Sequence, residues 1–152
     1  CKTPAMTIDI LPTVAELIGA KLPGHKIDGK SIANLIKGTS DKSPQEAYYF
    51  YMGRQLQTIR MGNWKLHFPH GYRTMAGKPG GKGGIPTKYS QARIGVSLFD
   101  LDKDIGETTD VKETHPEILA KMQQLGEAMR TELGDNKRQG KGQRQPGRLA
   151  AR

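Results

Sequence analysis

The sequence predicts an α+β fold: a four-stranded antiparallel sheet packed by a C-terminal helix, with two helices ahead of it. Three observations carry this reading. Residues 7–20 place apolar side chains at helical spacing, residues 47–68 switch to a two-residue period broken by tight turns, and residues 115–133 return to a helical stripe.

In the first segment Ile10, Leu11, Val14, Leu17 and Ile18 form the stripe. Thr7 or Asp9 can cap its start, and Pro12 is tolerated because it falls in the first turns. Gly19, then Leu22-Pro23-Gly24, ends it. Ile27-Asp28-Gly29 reads as a turn. Ser31 can cap a short helix carrying Ile32, Leu35 and Ile36, which Gly38 closes, and Thr39 to Pro44 is a polar linker and candidate boundary. Ala47 to Met52 is aromatic-rich and strand-like. Gly53-Arg54 and Gly62-Asn63 each suit a two-residue type II′ hairpin turn, with glycine supplying the positive φ. Between them Gln55 to Met61 is a second strand. In the third, Trp64, Leu66 and Phe68 face one side, and Lys65 and His67 the other. Residues 69–95 show little regular pattern, and the glycine-rich 77–84 reads as a mobile or Ω-type loop. Leu98 to Leu101 is a fourth strand. The last helix begins at a capping box of Thr114 and Glu117 and carries Ile118, Met122, Leu125, Met129 and Leu133 toward the sheet.

Composition narrows the function. The net charge is +9 over 152 residues, and six basic residues with one acid lie from Asp135 onward. A basic tail can bind a polyanion, but no aromatic residues interleave with these charges, so a flexible solvated tail over 135–152 is the plainer reading and nucleic acid is not an expected partner. One cysteine excludes an internal disulfide framework and a cysteine-based zinc site. No apolar run reaches the ~18 residues of a membrane span.

The candidate binding residues are His67, His70, Tyr72 and Arg73, where the third strand meets Pro69 and the pattern opens into a loop. Arginine offers a planar fork to oxyanions, and histidine exchanges protons and hydrogen bonds near neutral pH. Taken singly, each reads somewhat better as plain structure, His67 as a solvated sheet residue and Arg73 as a loop residue. Asp100, Asp102, Asp104 and Glu107 make only a crude calcium loop, lacking the glycine and terminal glutamate of an EF-hand; carboxylates capping backbone amides fit better.

Four phrases, in order, carry a family resemblance. Leu98-Phe99-Asp100-Leu101-Asp102-Lys103-Asp104-Ile105-Gly106-Glu107-Thr108-Thr109-Asp110 resembles the sulfatase signature L-[YF]-D-L-x-x-D-P-x-E-x-x-N, with Ile105 for proline and Asp110 for asparagine. Residues 7–19 resemble the sulfatase helix T-x-D-[IL]-x-P-T-[IL]-x-x-[IL]-[AI]-G. Residues 27–31 resemble [IV]-D-G-x-S, and residues 59–66 resemble [VI]-R-x-G-x-[WY]-K-[LA]. The resemblance implies the C-terminal part of an arylsulfatase-like enzyme of the alkaline-phosphatase-like superfamily. Residues 1–40 would be the tail of its catalytic α/β domain and 45–134 its α+β subdomain. It also implies a parent that hydrolyses sulfate esters with a formylglycine and calcium, in periplasm, extracellular space or lysosome. Cys1-Lys2-Thr3-Pro4-Ala5 is not the nucleophile motif C-x-[PA]-S-R, so no catalytic or metal residue is expected in this chain. Its partners would be the upstream catalytic domain and a sulfate-ester substrate, with His67, His70, Tyr72 and Arg73 on the pocket rim. A chain starting at Cys1 inside an apolar pattern is expected to be a fragment, inert alone. The rival reading is a basic, non-enzymatic module that holds polyanions through its tail.

Overall fold

The computed structural model describes residues 1–75 and 77–144. They form two compact units, residues 1–46 and residues from 47 onward.

In the first unit a 3₁₀ turn, Thr7–Asp9, leads into α1 (Ile10–Ile18), and Gly19 closes α1 in the left-handed region at φ 69°. α2 (Ala33–Ile36) is short, and the Ser31 hydroxyl accepts a hydrogen bond from its first amide at 3.2 Å. Asp9 holds the unit together. It is fully buried, and its carboxylate accepts from the amides of Met6 (3.1 Å) and Lys30 (2.9 Å) and from Gln45 Nε2 (2.9 Å). Thr13 Oγ1 donates to the Asp9 carbonyl and accepts from the Ile32 amide, fastening the turn over residues 27–31 to α1.

The second unit is the predicted α+β subdomain. β1 (Tyr48–Met52), β2 (Gln55–Met61), β3 (Trp64–His67) and β6 (Ser97–Asp100) form an antiparallel sheet in the order β1-β2-β3-β6. Both hairpin glycines, Gly53 and Gly62, have φ 59°, and neither Arg54 nor Asn63 has a positive φ, as type II′ turns require. Phe50 pairs with Thr58 but Tyr51 with Leu56, leaving Gln57 as an extra residue. This bulge brings both Leu56 and Ile59 into the core, where plain alternation would part them.

α3 (Pro116–Leu133) covers one face of the sheet. Met122 is fully buried among Leu56, Ile59, Leu66, Phe68 and Leu98, with Ile118, Leu125 and Met129 packed around it. The expected capping box does not form. The N-cap is His115, without a side-chain cap, so the pair Thr114 and Glu117 is one residue out of register for a box, and Thr114 Oγ1 instead donates backward to the Val111 carbonyl at 2.9 Å; Pro116 takes the first helical position, where no amide is needed.

Two short hairpins lie where the sequence pattern shows none. β4 (His70–Thr74) pairs antiparallel with β5 (Ser90–Ile94), and the glycine-rich stretch is the connection between them. β7 (Gly134–Asp135) pairs with β8 (Arg138–Gln139) in what reads as the start of the tail. Asp135 accepts from the Leu56 amide at 3.1 Å and from Arg130 Nε at 2.7 Å, and Arg138 pairs with Glu127, so the chain to residue 139 is tied to the sheet and α3. Residues 145–152, the end of the expected tail, lie outside the described residues.

Asp110 links β6 to the approach to α3. Its carboxylate accepts from the amides of Leu98 (3.0 Å) and Lys112 (3.1 Å) and pairs with Lys112 Nζ at 2.7 Å. Partial burial pushes its carboxyl up, but these partners outweigh it and hold it down to about 2. A depressed carboxyl contributes stability above its unfolded value of about 3.9 and loses it as pH falls toward 2; solvent screening limits this to about 1 kcal/mol. Asp110→Asn is therefore expected to flatten the pH dependence of unfolding between about pH 2 and 4. An unchanged slope there would remove Asp110 from the acid response.

Candidate functional site

The face of the sheet opposite α3 carries the candidate site. Alternation along β3 points Leu66 into the core and Lys65 and His67 away from it. The register sets Phe99 across from Lys65, and the His67 ring meets Phe99 edge-on at 5.5 Å. After Phe68 the chain turns at Pro69 and enters β4, which brings His70 back over His67. The two rings stack with centroids 5.4 Å apart and planes 15° from parallel, and Tyr72 lies beyond His70 at 6.4 Å. His67, His70, Tyr72, Ile94, Gly106 and Glu107 line a pocket of about 300 Å³.

The fourth predicted residue, Arg73, does not line it. β4 is a strand here and not a loop, so Arg73 alternates to the other face of its hairpin, paired in register with Gln91 and exposed. His70, read from the sequence as a loop residue, is buried. Its Nδ1 lies 2.7 Å from the Phe68 carbonyl oxygen.

Glu107 is the residue the sequence reading left out of the site. Its backbone sits in the left-handed region at φ 55°, rare for a residue with a side chain. Asp104 holds that turn: its carboxylate accepts from the amides of Thr108 and Thr109, both at 2.7 Å, and its carbonyl from Glu107 N at 3.1 Å. The Glu107 carboxylate then reaches the polar face of β3, with Oε1 2.5 Å from Lys65 Nζ and Oε2 2.6 Å from His67 Nε2. Burial pushes the Glu107 carboxyl up, but Lys65 and His67 outweigh it and hold it below the ordinary range. For His67 burial dominates, and its pKa is lowered despite the Glu107 carboxylate, leaving a neutral ring. His67 Nδ1 is buried and has no hydrogen-bond partner among the described residues.

The acidic phrase is thus a capping device. Asp100 accepts from Asn63 Nδ2 at 2.6 Å and from the Asp102 amide, while Asp104 caps its own loop. Among the described residues no group of three or more His, Cys, Asp or Glu is placed to hold a metal ion. Cys1 is exposed. The residues present fit neither a calcium ion nor a formylglycine, and no chemical step through either falls to these side chains. No helix among the described residues is long and apolar enough to cross a membrane.

Comparison with known proteins agrees with the ordered phrases. Residues 43–148 match the family described as the C-terminal region of aryl-sulfatase. The chain is 31% identical to mouse steryl-sulfatase over 144 residues, covering 86% of this chain and 23% of that protein. It is 31% identical to human arylsulfatase A over 134 residues, covering 80% and 25%. It therefore spans about a quarter of the length of these relatives. Among solved structures, one described under the metabolism of multiple glycosaminoglycans by Bacteroides thetaiotaomicron aligns with TM-score 0.55 at 23% identity, over 81% of this chain and 24% of that one, a likeness of fold.

Proposed function

The chain belongs to the sulfatase family, and from that premise we propose that it is the C-terminal part of an enzyme hydrolysing sulfate esters, in which it supplies structural support and part of the substrate-pocket rim. The observation that carries the rim role is the pocket itself. Two stacked histidines, a tyrosine and a carboxylate converge where a strand end meets a hairpin, on the sheet face that α3 leaves open. Binding groups concentrate where loops and strand ends are held by a rigid sheet.

The residue inventory supports a division of labour. The nucleophile and the metal belong to the rest of the enzyme, and His67, His70 and Tyr72 contact the substrate beside its reacting ester. The polyanion-binding alternative has less support, because Arg138, at the start of the basic segment, is engaged by Glu127 and Thr131.

The test compares two preparations. The parent enzyme carrying this sequence is expected to release sulfate from an aryl sulfate with calcium present, and the 152-residue chain alone to release none above a buffer blank. Turnover by the isolated chain, or no sulfatase activity in the parent, would refute the reading.

A further inference from the structure

We propose that the β4–β5 hairpin is a second binding surface, apart from the pocket, on which Arg73 and Arg93 hold a linear sulfated polysaccharide by its sulfate groups.

Charge points to the hairpin first. Residues 68–99 contain Arg73, Lys78, Lys82, Lys88 and Arg93 and no aspartate or glutamate. This segment and the basic stretch from Asp135 onward hold the chain's positive excess. The remaining residues, 13 basic and 14 acidic, are close to neutral.

The register then gathers the two arginines. Arg73 pairs with Gln91 and Arg93 with Gly71, so all four residues share one face of the hairpin. The arginines are diagonal neighbours there, about 7–8 Å apart. Both are exposed, and neither guanidinium has a hydrogen bond or ion pair among the described residues. Arg130 and Arg138, by contrast, are matched by Asp135 and Glu127. His70, Tyr72 and Ile94 alternate to the other face, where the pocket lies.

The connection between the strands is a built turn that adds charge. Gly77, Gly83 and Gly84 hold positive φ, at 73°, 60° and 78°, and at Gly81 a Cβ would overlap the Ile85 carbonyl oxygen. Thr87 Oγ1 donates to the Pro79 carbonyl at 2.9 Å, and Lys78 Nζ to Ser90 Oγ at 3.2 Å. Lys82 and Lys88 are exposed on this turn, and the exposed Tyr89 offers a ring on which a sugar face can lie.

Such a surface calls for a partner of opposite sign. Like charges on neighbouring strands are unfavourable until an anion lies between them. An arginine fork takes two oxygens of one oxyanion, and several cations in succession favour a chain of oxyanions. The choice of sulfate rests on the sulfatase reading above; the need for a polyanion rests on the charges alone.

Binding of the full 152-residue chain to dextran sulfate, with neutral dextran and duplex DNA as comparison ligands, tests this. Dextran sulfate is expected to bind at low salt and neutral dextran not, with affinity falling steeply as salt rises. Arg73→Gln with Arg93→Gln should weaken that binding at least about tenfold and reduce the salt slope by about one per arginine. Lys137→Gln with Lys141→Gln removes the same charge from the basic stretch and should leave binding nearly unchanged. Backbone amide shifts on adding dextran sulfate to the unsubstituted chain should centre on β4 and β5, which decides the location whether or not the arginine variant folds. No binding of dextran sulfate, equal losses in the two double variants, shifts centred beyond Asp135, or duplex DNA held as tightly as dextran sulfate would each overturn the proposal. Sulfate release by the parent enzyme is a separate readout, so a parent without it would sink the sulfatase reading while the binding data still decide this surface.

Discussion

Asp9→Ala is expected to destabilise residues 1–46 by about 3–5 kcal/mol, the largest effect of any single substitution considered. The side chain is fully buried, and its two oxygens satisfy two backbone amides and one side-chain amide drawn from three separate stretches of the unit. Alanine would leave the part-buried amides of Met6 and Lys30 without this acceptor and Gln45 Nε2 with only the Asp28 carbonyl at 3.3 Å, at about 1–3 kcal/mol for each lost partner before relaxation and water entry. Asp9→Asn keeps one acceptor oxygen and should lose less. Hydrogen exchange of the α1 amides reports this locally. Unchanged protection in the alanine variant would mean that the hub is dispensable.

Gly126→Ala should cost the second unit about 2 kcal/mol, although alanine is the better helix former. Gly126 is buried in the middle of α3, and a Cβ there would lie 2.4 Å from Phe68 Cζ and 3.1 Å from Ile59 Cδ1. The ring cannot swing aside freely, because Phe68 is buried and the Arg130 guanidinium lies over its face, 4.0 Å from the ring centroid. Overpacking of about 3 kcal/mol outweighs the ~1 kcal/mol gained in helix propensity. A urea midpoint that rises in this variant would contradict the packing described.

The main sheet and α3 were legible in the sequence because their burial is one-sided. Trp64, Leu66 and Phe68 against Lys65 and His67, and the stripe from Ile118 to Met129, announce their periods directly. β4 and β5 were not, for a physical reason. His70-Gly71-Tyr72-Arg73-Thr74 and Ser90-Gln91-Ala92-Arg93-Ile94 bury little beyond His70, so no alternation of apolar and polar residues marks them; pairing across a glycine-rich connection makes them strands. The same gap explains Arg73. Grouping it with His70 and Tyr72 assumed a loop, whereas a strand sends neighbours to opposite faces. Glu107 was hidden because its role depends on a left-handed turn of a residue that is not glycine, and the only hint was the Gly106-Glu107 step after a cluster of carboxylates. The Gln57 bulge, which recruits Leu56 to the core, left no signal in the alternation either.

The central claim is that a sulfatase uses this pocket as part of its substrate rim. Its most direct test is kcat/KM of the parent enzyme carrying His67→Ala together with His70→Ala, assayed on a sugar sulfate, with the fold checked by its unfolding transition. A fall of at least about tenfold, roughly 1.4 kcal/mol of lost transition-state binding, is expected in a folded protein. A folded double variant with unchanged kcat/KM would contradict it and leave the two histidines as packing beneath the hairpin.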